Sequence, residues 1–515
     1  MPKQTPDLPL PSIRLDATAE LPLHRQLYEQ LSTAIRRGHL KPGTRLPSTR
    51  ALARDLGVSR TTTLEAYRDL RAEGYLEAHI GAGTVVTQNL PELFLRTTMG
   101  ESSSAILHRQ KSQEFPERPP IPLSQRGMRF ASMSPPPWFL TTGSLRPFRL
   151  GAPALDAAPQ QAWARAVTRA VRSTSKSQLD YQHAAGYRPL REAIASYLAV
   201  TRGVHCTADQ IIIVAGIQAG LSLTANLLLD AKDAVWMEDP GYFLAQAVFQ
   251  AADATLIAVP IDREGLTVAE GWRRCPGARL AYVTPSHQFP LGVTMSYARR
   301  RELLQWAQHA DAWIIEDDYD SEYQYTGRPI PALQGLDKCG RVIYLGTFSK
   351  VFFPALRLGY IVAPPTLVNA FSIAQRVMSF HPPALEQIAM ASFMAEGEFT
   401  RHIRRMRGLY AARRDCLLSY AARYLADTLR FERRQSGLHL VGWLPEDADE
   451  RELVMLADQH GITVYPLSDF WIGPTERRGL VLGFAAFGED EIRAGVQKLA
   501  SAWSKTHPSA TTQGL

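Results

Sequence analysis

Lys350 stands in the stretch GTFSKVFFPALRLGY, directly after a small polar pair and seven residues before Arg357. A lysine in apolar company is costly unless its amine is used. Other polar motifs share its setting, each placed just after a β-prone run. VAGIQAG puts Gly216 and Ile217 at a strand-to-helix turn, where bare backbone N–H groups can hold a phosphate. EDPGY sets Tyr242 in a tight turn, and TPSHQFPLG brings His287 and Gln288 after the next strand. IIEDDYD closes an apolar run with Asp317 and Tyr319, and GTFSK closes another with Thr347 and Lys350. Singly these signals are weak. A lone lysine usually snorkels its head to solvent. EDDYD alone could equally be a solvated loop or a divalent-metal site, and Arg357 a surface ion pair.

Together they match the needs of one cofactor. Pyridoxal 5'-phosphate (PLP) requires an amine for its aldehyde, a carboxylate for its pyridinium nitrogen and a cationic or helix-terminal cradle for its phosphate. Desolvation would lower the pKa of the lysine and let it attack as a free amine.

The elements that must position these groups form a region from 146 to 508. β-prone runs such as QIIIVAG, DAVWME, ATLIAV, RLAYVTP, AWIIEDD and RVIYLGT alternate there with helical stretches. That alternation predicts an α/β domain with a large, mostly parallel sheet, whose ligands bind beyond the carboxyl ends of its strands. Residues 89–145, rich in Ser, Pro and charge, read as a flexible linker.

The N-terminal region, 11–88, has a different character. Leu23, Leu27, Leu31 and Ile35 form one apolar stripe of an amphipathic helix. KPGTRLP breaks it, Ser48 and Ser59 are placed to cap two further helices, and YLEAHIGAGTVVT reads as a hairpin. Helix, helix, short turn, helix and hairpin describe a winged helix-turn-helix. Between Leu21 and Thr87 there are ten Lys or Arg against six Asp or Glu, which suits phosphate contacts. A small protein-docking module of the same topology is the competing reading.

Composition sets outer bounds. The 515 residues carry a formal charge of +7, compatible with a polyanionic partner. No apolar run approaches the ~20 residues of a membrane span, and MPKQTPDLPLPSI lacks the apolar core of a secretory signal. Cys206, Cys275, Cys339 and Cys416 lie far apart, which speaks against a zinc site or a disulfide framework. A cytoplasmic protein with no metal is expected.

GHLKPGTRLPSTRALARDLGVSRTTTLEAYRDLRAEGYLEAHIGAGTVV resembles the GntR family of bacterial transcription regulators. The resemblance implies that Arg45, Ser48, Arg50, Ser59, Arg60, Thr61 and Thr62 meet double-stranded DNA, with Gly81 at the wing tip. From 146 onward the chain resembles fold-type-I aminotransferases. The order PSHQFP, EDDYDSE and GTFSK…P.LRLGY is similar to the MocR group of fused regulators, typified by the GABA-responsive regulator.

By that resemblance Lys350 would form the internal aldimine and Asp317 would bind the pyridine nitrogen. Tyr319 would meet the ring hydroxyl, Thr347 and Arg357 would grip the phosphate with backbone around Gly216 and Ile217, and Tyr242 would stack on the ring. His287 and Gln288 would line its other polar edge. Tyr181 would reach the phosphate from a neighbouring subunit of a head-to-tail, domain-swapped homodimer. Where many relatives carry an effector-binding arginine after EDPGY, this chain has Phe243, Leu244 and Ala245, and Arg477 and Arg478 read as surface charges.

The function implied is a PLP-dependent transcription regulator that senses PLP or an amine or amino-acid effector through an aldimine. A working aminotransferase with a DNA-binding appendage is the alternative. A third possibility is a DNA-binding protein whose second domain only dimerises.

Overall fold

The computed structural model describes residues 13–16, 19, 21–79, 83–88, 90, 123–133, 145–326, 330–446 and 448–506. They fall into two compact units that divide at 122/123.

The first unit is built from locally encoded elements. Helix α1 (Leu23–Arg36) buries Leu27, Leu31 and Ile35 of the predicted stripe. Strand β1 (Arg45–Leu46) follows, then α2 (Thr49–Leu56) and α3 (Arg60–Ala72). Ser48 accepts the Ala51 N–H at 3.2 Å and Ser59 the Thr62 N–H at 3.1 Å, so both predicted caps are made. Gly57 ends α2 at φ +66°, a left-handed conformation that glycine adopts without strain. Strands β2 (Leu76–His79) and β3 (Gly83–Val86) pair antiparallel, and β1 joins the free side of β3. That two-residue strand lies inside the stretch read as a helix break. A core of Leu27, Leu31, Leu52, Ala66, Leu70 and Val86 closes the winged helix-turn-helix.

The second unit holds an eight-stranded sheet. Its strands are β4 (Ile211–Val214), β5 (Ala234–Asp239), β6 (Thr255–Asp262), β7 (Gly265–Leu266), β8 (Leu280–Val283), β9 (Trp313–Asp318), β10 (Val342–Thr347) and β11 (Gly359–Val362), in the order β4-β11-β10-β9-β8-β5-β6-β7. The pairs from β6 through β5, β8 and β9 to β10 are all parallel. Strand β11 is antiparallel to both β10 and β4, because the short loop after Lys350 turns the chain straight back. Strands buried on both faces read as continuous apolar runs, which is why Ile211–Val214 and Val342–Leu345 show no alternation.

A four-stranded antiparallel sheet completes this unit: β12 (Arg430–Phe431), β13 (His439–Trp443), β14 (Tyr465–Pro466) and β15 (Gly479–Gly483), in the order β12-β13-β15-β14. It is tied to the large sheet beside the strand ends. The Asp239 carboxylate accepts the N–H groups of Ile472 at 2.7 Å and Gly473 at 3.1 Å.

The range expected to be a linker contains one described helix, α4 (Gln125–Ser132), capped by Ser124. It packs against the helix Phe243–Ala251 of the second unit, and Arg129 lies 3.4 Å from Asp253. Residues 123–133 of that range are therefore attached structure rather than free chain. Among the described residues no helix is long and apolar enough to cross a membrane.

Candidate functional site

The parallel order β5-β8-β9-β10 aligns the C-terminal ends of these strands, and the predicted groups meet there. Three residues beyond β10, Lys350 donates from Nζ to the Gly151 carbonyl at 2.7 Å. Gly151 has φ +74°, which favours glycine, and a Cβ on it would lie 2.6 Å from that nitrogen and displace it. Burial pushes the Lys350 pKa down, against the opposing pull of the Asp320 and Asp317 carboxylates. A lowered pKa favours the free amine.

On β9, Asp317 accepts a hydrogen bond at Oδ2 from the Tyr282 hydroxyl of β8 at 2.6 Å. Its Oδ1 is buried without a hydrogen-bond partner. Burial raises its pKa to about 7, against the stabilising Tyr282 bond. An orphaned carboxylate oxygen in an apolar pocket calls for a cationic N–H donor, and a protonated pyridine nitrogen is one.

Two residues expected to hold a phosphate, Gly216 and Arg357, lie side by side. Gly216, at φ +89°, precedes the helix Ile217–Leu228 and leaves its first-turn N–H groups open. A Cβ at Gly216 would lie 3.0 Å from Arg357 Nη2. Arg357 donates to the Ala215 carbonyl at 3.0 Å and is itself held at φ +51°, uncommon for a residue with a side chain. Thr347 Oγ1 accepts the Ser349 N–H at 3.1 Å. Tyr242 takes a hydrogen bond from Gln218 at 3.3 Å and sets its ring edge-on to Phe289 at 5.5 Å.

His287 and Gln288 are both buried and hydrogen-bonded after β8. The Gln288 amide donates to the carbonyls of Pro240 at 2.8 Å and Phe289 at 2.7 Å, while its oxygen accepts the Leu291 N–H at 3.1 Å. Those bonds tie the turn after β8 to the end of β5 and fix the side chain's position. His287 Nδ1 lies 3.0 Å from Asp320 Oδ2 and 2.9 Å from the Tyr319 hydroxyl, which donates to the His287 carbonyl at 2.9 Å. His287 thus contacts Tyr319 and Asp320, while its Nε2 is buried without a partner. Tyr181 stands 75% exposed with its ring 4.8 Å from that of Phe380.

In the first unit, Arg45, Ser48, Arg50, Ser59, Arg60 and Thr61 are exposed and Thr62 is half-buried. Arg45 lies over Gly83, its Nε 3.0 Å from where a Cβ would be, so it sits on the wing. The hydroxyl oxygens of Ser48 and Ser59 accept the helix-cap hydrogen bonds, which leaves each O–H as a donor. Gly81 lies outside the described residues.

The aminotransferase class I and II family matches residues 148–499, and the gntR family of bacterial regulatory proteins matches residues 23–86. The probable rhizopine catabolism regulatory protein MocR of Rhizobium meliloti is 41% identical over 95% of both chains. The chain belongs to the MocR-type GntR regulators. The pyridoxine biosynthesis transcriptional regulator PdxR of Corynebacterium glutamicum is 33% identical over 97% of this chain and 99% of its own. Among solved structures, a multiple substrate aminotransferase from Thermococcus profundus superposes with a TM-score of 0.68 at 27% identity, covering 74% of this chain and 97% of that one.

As a MocR-type regulator the chain is a DNA-binding transcription factor with an aminotransferase-like domain. Arg477 and Arg478 are exposed at the edge of the small sheet, Arg477 stacked 3.7 Å over Trp443 and Arg478 donating to the Ala448 carbonyl. Sequence reasoning missed Tyr282, Gly151 and Asp320. Asp320 was legible as one acid of a cluster, whereas Tyr282 is the penultimate residue of β8, with no local mark.

Proposed function

We propose that this MocR-type regulator binds PLP at Lys350 and alters its grip on operator DNA when PLP, or an amine meeting it there, occupies the site. The observation that carries this reading is the buried, unpartnered Asp317 Oδ1 beside a lysine whose pKa is lowered. When bound, the cofactor supplies an aldehyde for an amine and a ring that accepts electron density. Asp317 would hold the proton on the ring nitrogen, and Tyr319, fixed by His287, would orient the ring hydroxyl. Tyr242 would cover one ring face. Arg357, Thr347 and the N–H groups of Gly216 and Ile217 would hold the phosphate.

Tyr181, exposed on its own chain, would complete the site of a second copy in a cytoplasmic homodimer. Each copy would then add one winged helix-turn-helix, with Arg45, Arg50, Arg60 and Thr61 directed at DNA. Effector and operator would be coupled reciprocally. The complete Lys350, Asp317 and Arg357 set also favours a second reading, slow aminotransferase turnover.

Titration of cofactor-free protein with PLP, followed by visible absorption, tests the site. A band that Lys350→Ala abolishes is expected. Operator fragments selected in vitro by the purified protein should then bind differently with and without PLP. A band retained in Lys350→Ala, or no band in the wild type, would overturn the reading. Multiple turnovers with an amino donor and a keto acid would favour the enzyme.

A further inference from the structure

The segment before Gly151 is anchored unusually firmly. Thr463 donates to the Pro147 carbonyl at 3.0 Å, Gly483 to that of Phe148 at 2.9 Å, and the Leu150 N–H reaches the Tyr465 hydroxyl at 3.1 Å. Phe148 is fully buried at φ +69°, a conformation that costs free energy in a residue with a side chain. Strain of that kind persists only where the surroundings enforce it. Here it fixes the direction of the next residue, Arg149.

Arg149 is half-buried, and its guanidinium makes no ion pair or side-chain hydrogen bond among the described residues. It lines a cavity of about 730 Å³ together with Lys350. Most of the remaining wall is apolar, with Leu150, Trp163, Phe352 and Phe353 prominent. The charge of Arg149 is also felt at Lys350, where it adds to the lowering of the amine's pKa. The neighbouring Leu150 packs into the apolar cluster of the small sheet with Phe289 and Val481. A half-buried cation without a partner is poorly satisfied until an anion arrives.

We infer that Arg149 holds the anionic group of an effector whose amine reaches Lys350, so that the effector is a zwitterionic amino acid with an apolar body. This rests on the PLP reading above and adds to it the class of ligand and the residue that selects it. The amine and the anion are recognised by two residues of one cavity wall, and the apolar body lies against Trp163 and Phe352.

The test uses full-length, PLP-loaded protein and three probes: L-norleucine, 6-aminohexanoate and n-pentylamine. Pentylamine is what either amino acid becomes without its carboxylate. The concentration of each probe that shifts the visible spectrum gives a preference ratio within one protein. The wild type should prefer at least one of the amino acids over pentylamine by roughly tenfold or more, the scale of a charged hydrogen bond. Arg149→Gln should bring that ratio close to one, and Arg149→Lys should retain part of it. A wild-type ratio near one, or a ratio unchanged in Arg149→Gln, would overturn the assignment. If Arg149→Gln does not load PLP, the ratio in Arg149→Lys decides, an unchanged value counting against Arg149's planar fork. A wild type that forms no Lys350-dependent band would instead remove the PLP reading itself.

Discussion

Between about pH 4 and pH 7 the Asp317 carboxyl keeps its proton in the fold and gives it up in the unfolded chain. Its pKa rises from 3.8 to about 7 because burial penalises the charged form. The folded state therefore binds more protons across that window, and this group's contribution to stability falls as pH rises. Glu238, buried against Thr284, moves the same way, also to about 7. In cofactor-free protein the Asp317→Asn variant should be the more stable by about 1–3 kcal/mol at pH 8, since a neutral amide can still accept from Tyr282. The gain should vanish near pH 4. PLP should raise the melting temperature of the wild type much more than that of the variant. Thermal melts at both pH values, with and without PLP, check this. A variant that melts below the wild type at pH 8 would mean that Asp317 is satisfied without a cofactor.

At the scale of elements, Ser59 separates a cap from a DNA contact. Its hydroxyl accepts the Thr62 N–H and lies 2.9 Å from the Thr62 hydroxyl, so α3 already uses it. Ser59→Ala should cost the winged unit about 1 kcal/mol of stability in urea unfolding. Ser59→Asp should keep the cap but weaken operator binding, because its charge faces phosphate. Fluorescence anisotropy on the selected operator reads the second effect, and equal affinity in Ser59→Asp would remove Ser59 from the DNA face. These helices were legible because cap, stripe and terminating glycine lie within a few residues of one another. The strands of the large sheet were legible as apolar runs, and Lys350, Asp317, Thr347 and Arg357 as residues at their ends. What stayed hidden is contact across the chain. Gly151 meets Lys350 across 199 residues and Tyr282 meets Asp317 across 35. The Gln288 bonds to Pro240 and Glu238, some fifty residues away, were hidden for the same reason.

For the molecule as a whole the question is what covers the surface around Tyr181. Along the helix Val368–Ser379, Ile373 and Val377 are 56% and 80% exposed, and Phe380 continues the same face beyond its end. Phe380 carries the Tyr181 ring on one side and the Arg376 guanidinium, 4.8 Å away, on another. Leu179 and Met378 extend the exposed apolar area. Contiguous apolar surface of this kind marks an interaction site, and in the dimer proposed above a second copy buries it and receives Tyr181 in exchange. Val377→Glu should then yield monomers in sedimentation velocity, because an unpaired charge in an apolar interface is strongly unfavourable. The same variant should bind PLP roughly tenfold more weakly, having lost one phosphate contact per site. Tyr181→Phe should weaken PLP to a similar degree while leaving the dimer intact. A monomeric Val377→Glu with wild-type PLP affinity would show that each chain completes its own site. A dimeric one would move the interface elsewhere. If both variants behave as expected, dimerisation and cofactor binding share one surface, and PLP should tighten the dimer by the factor that dimerisation tightens PLP.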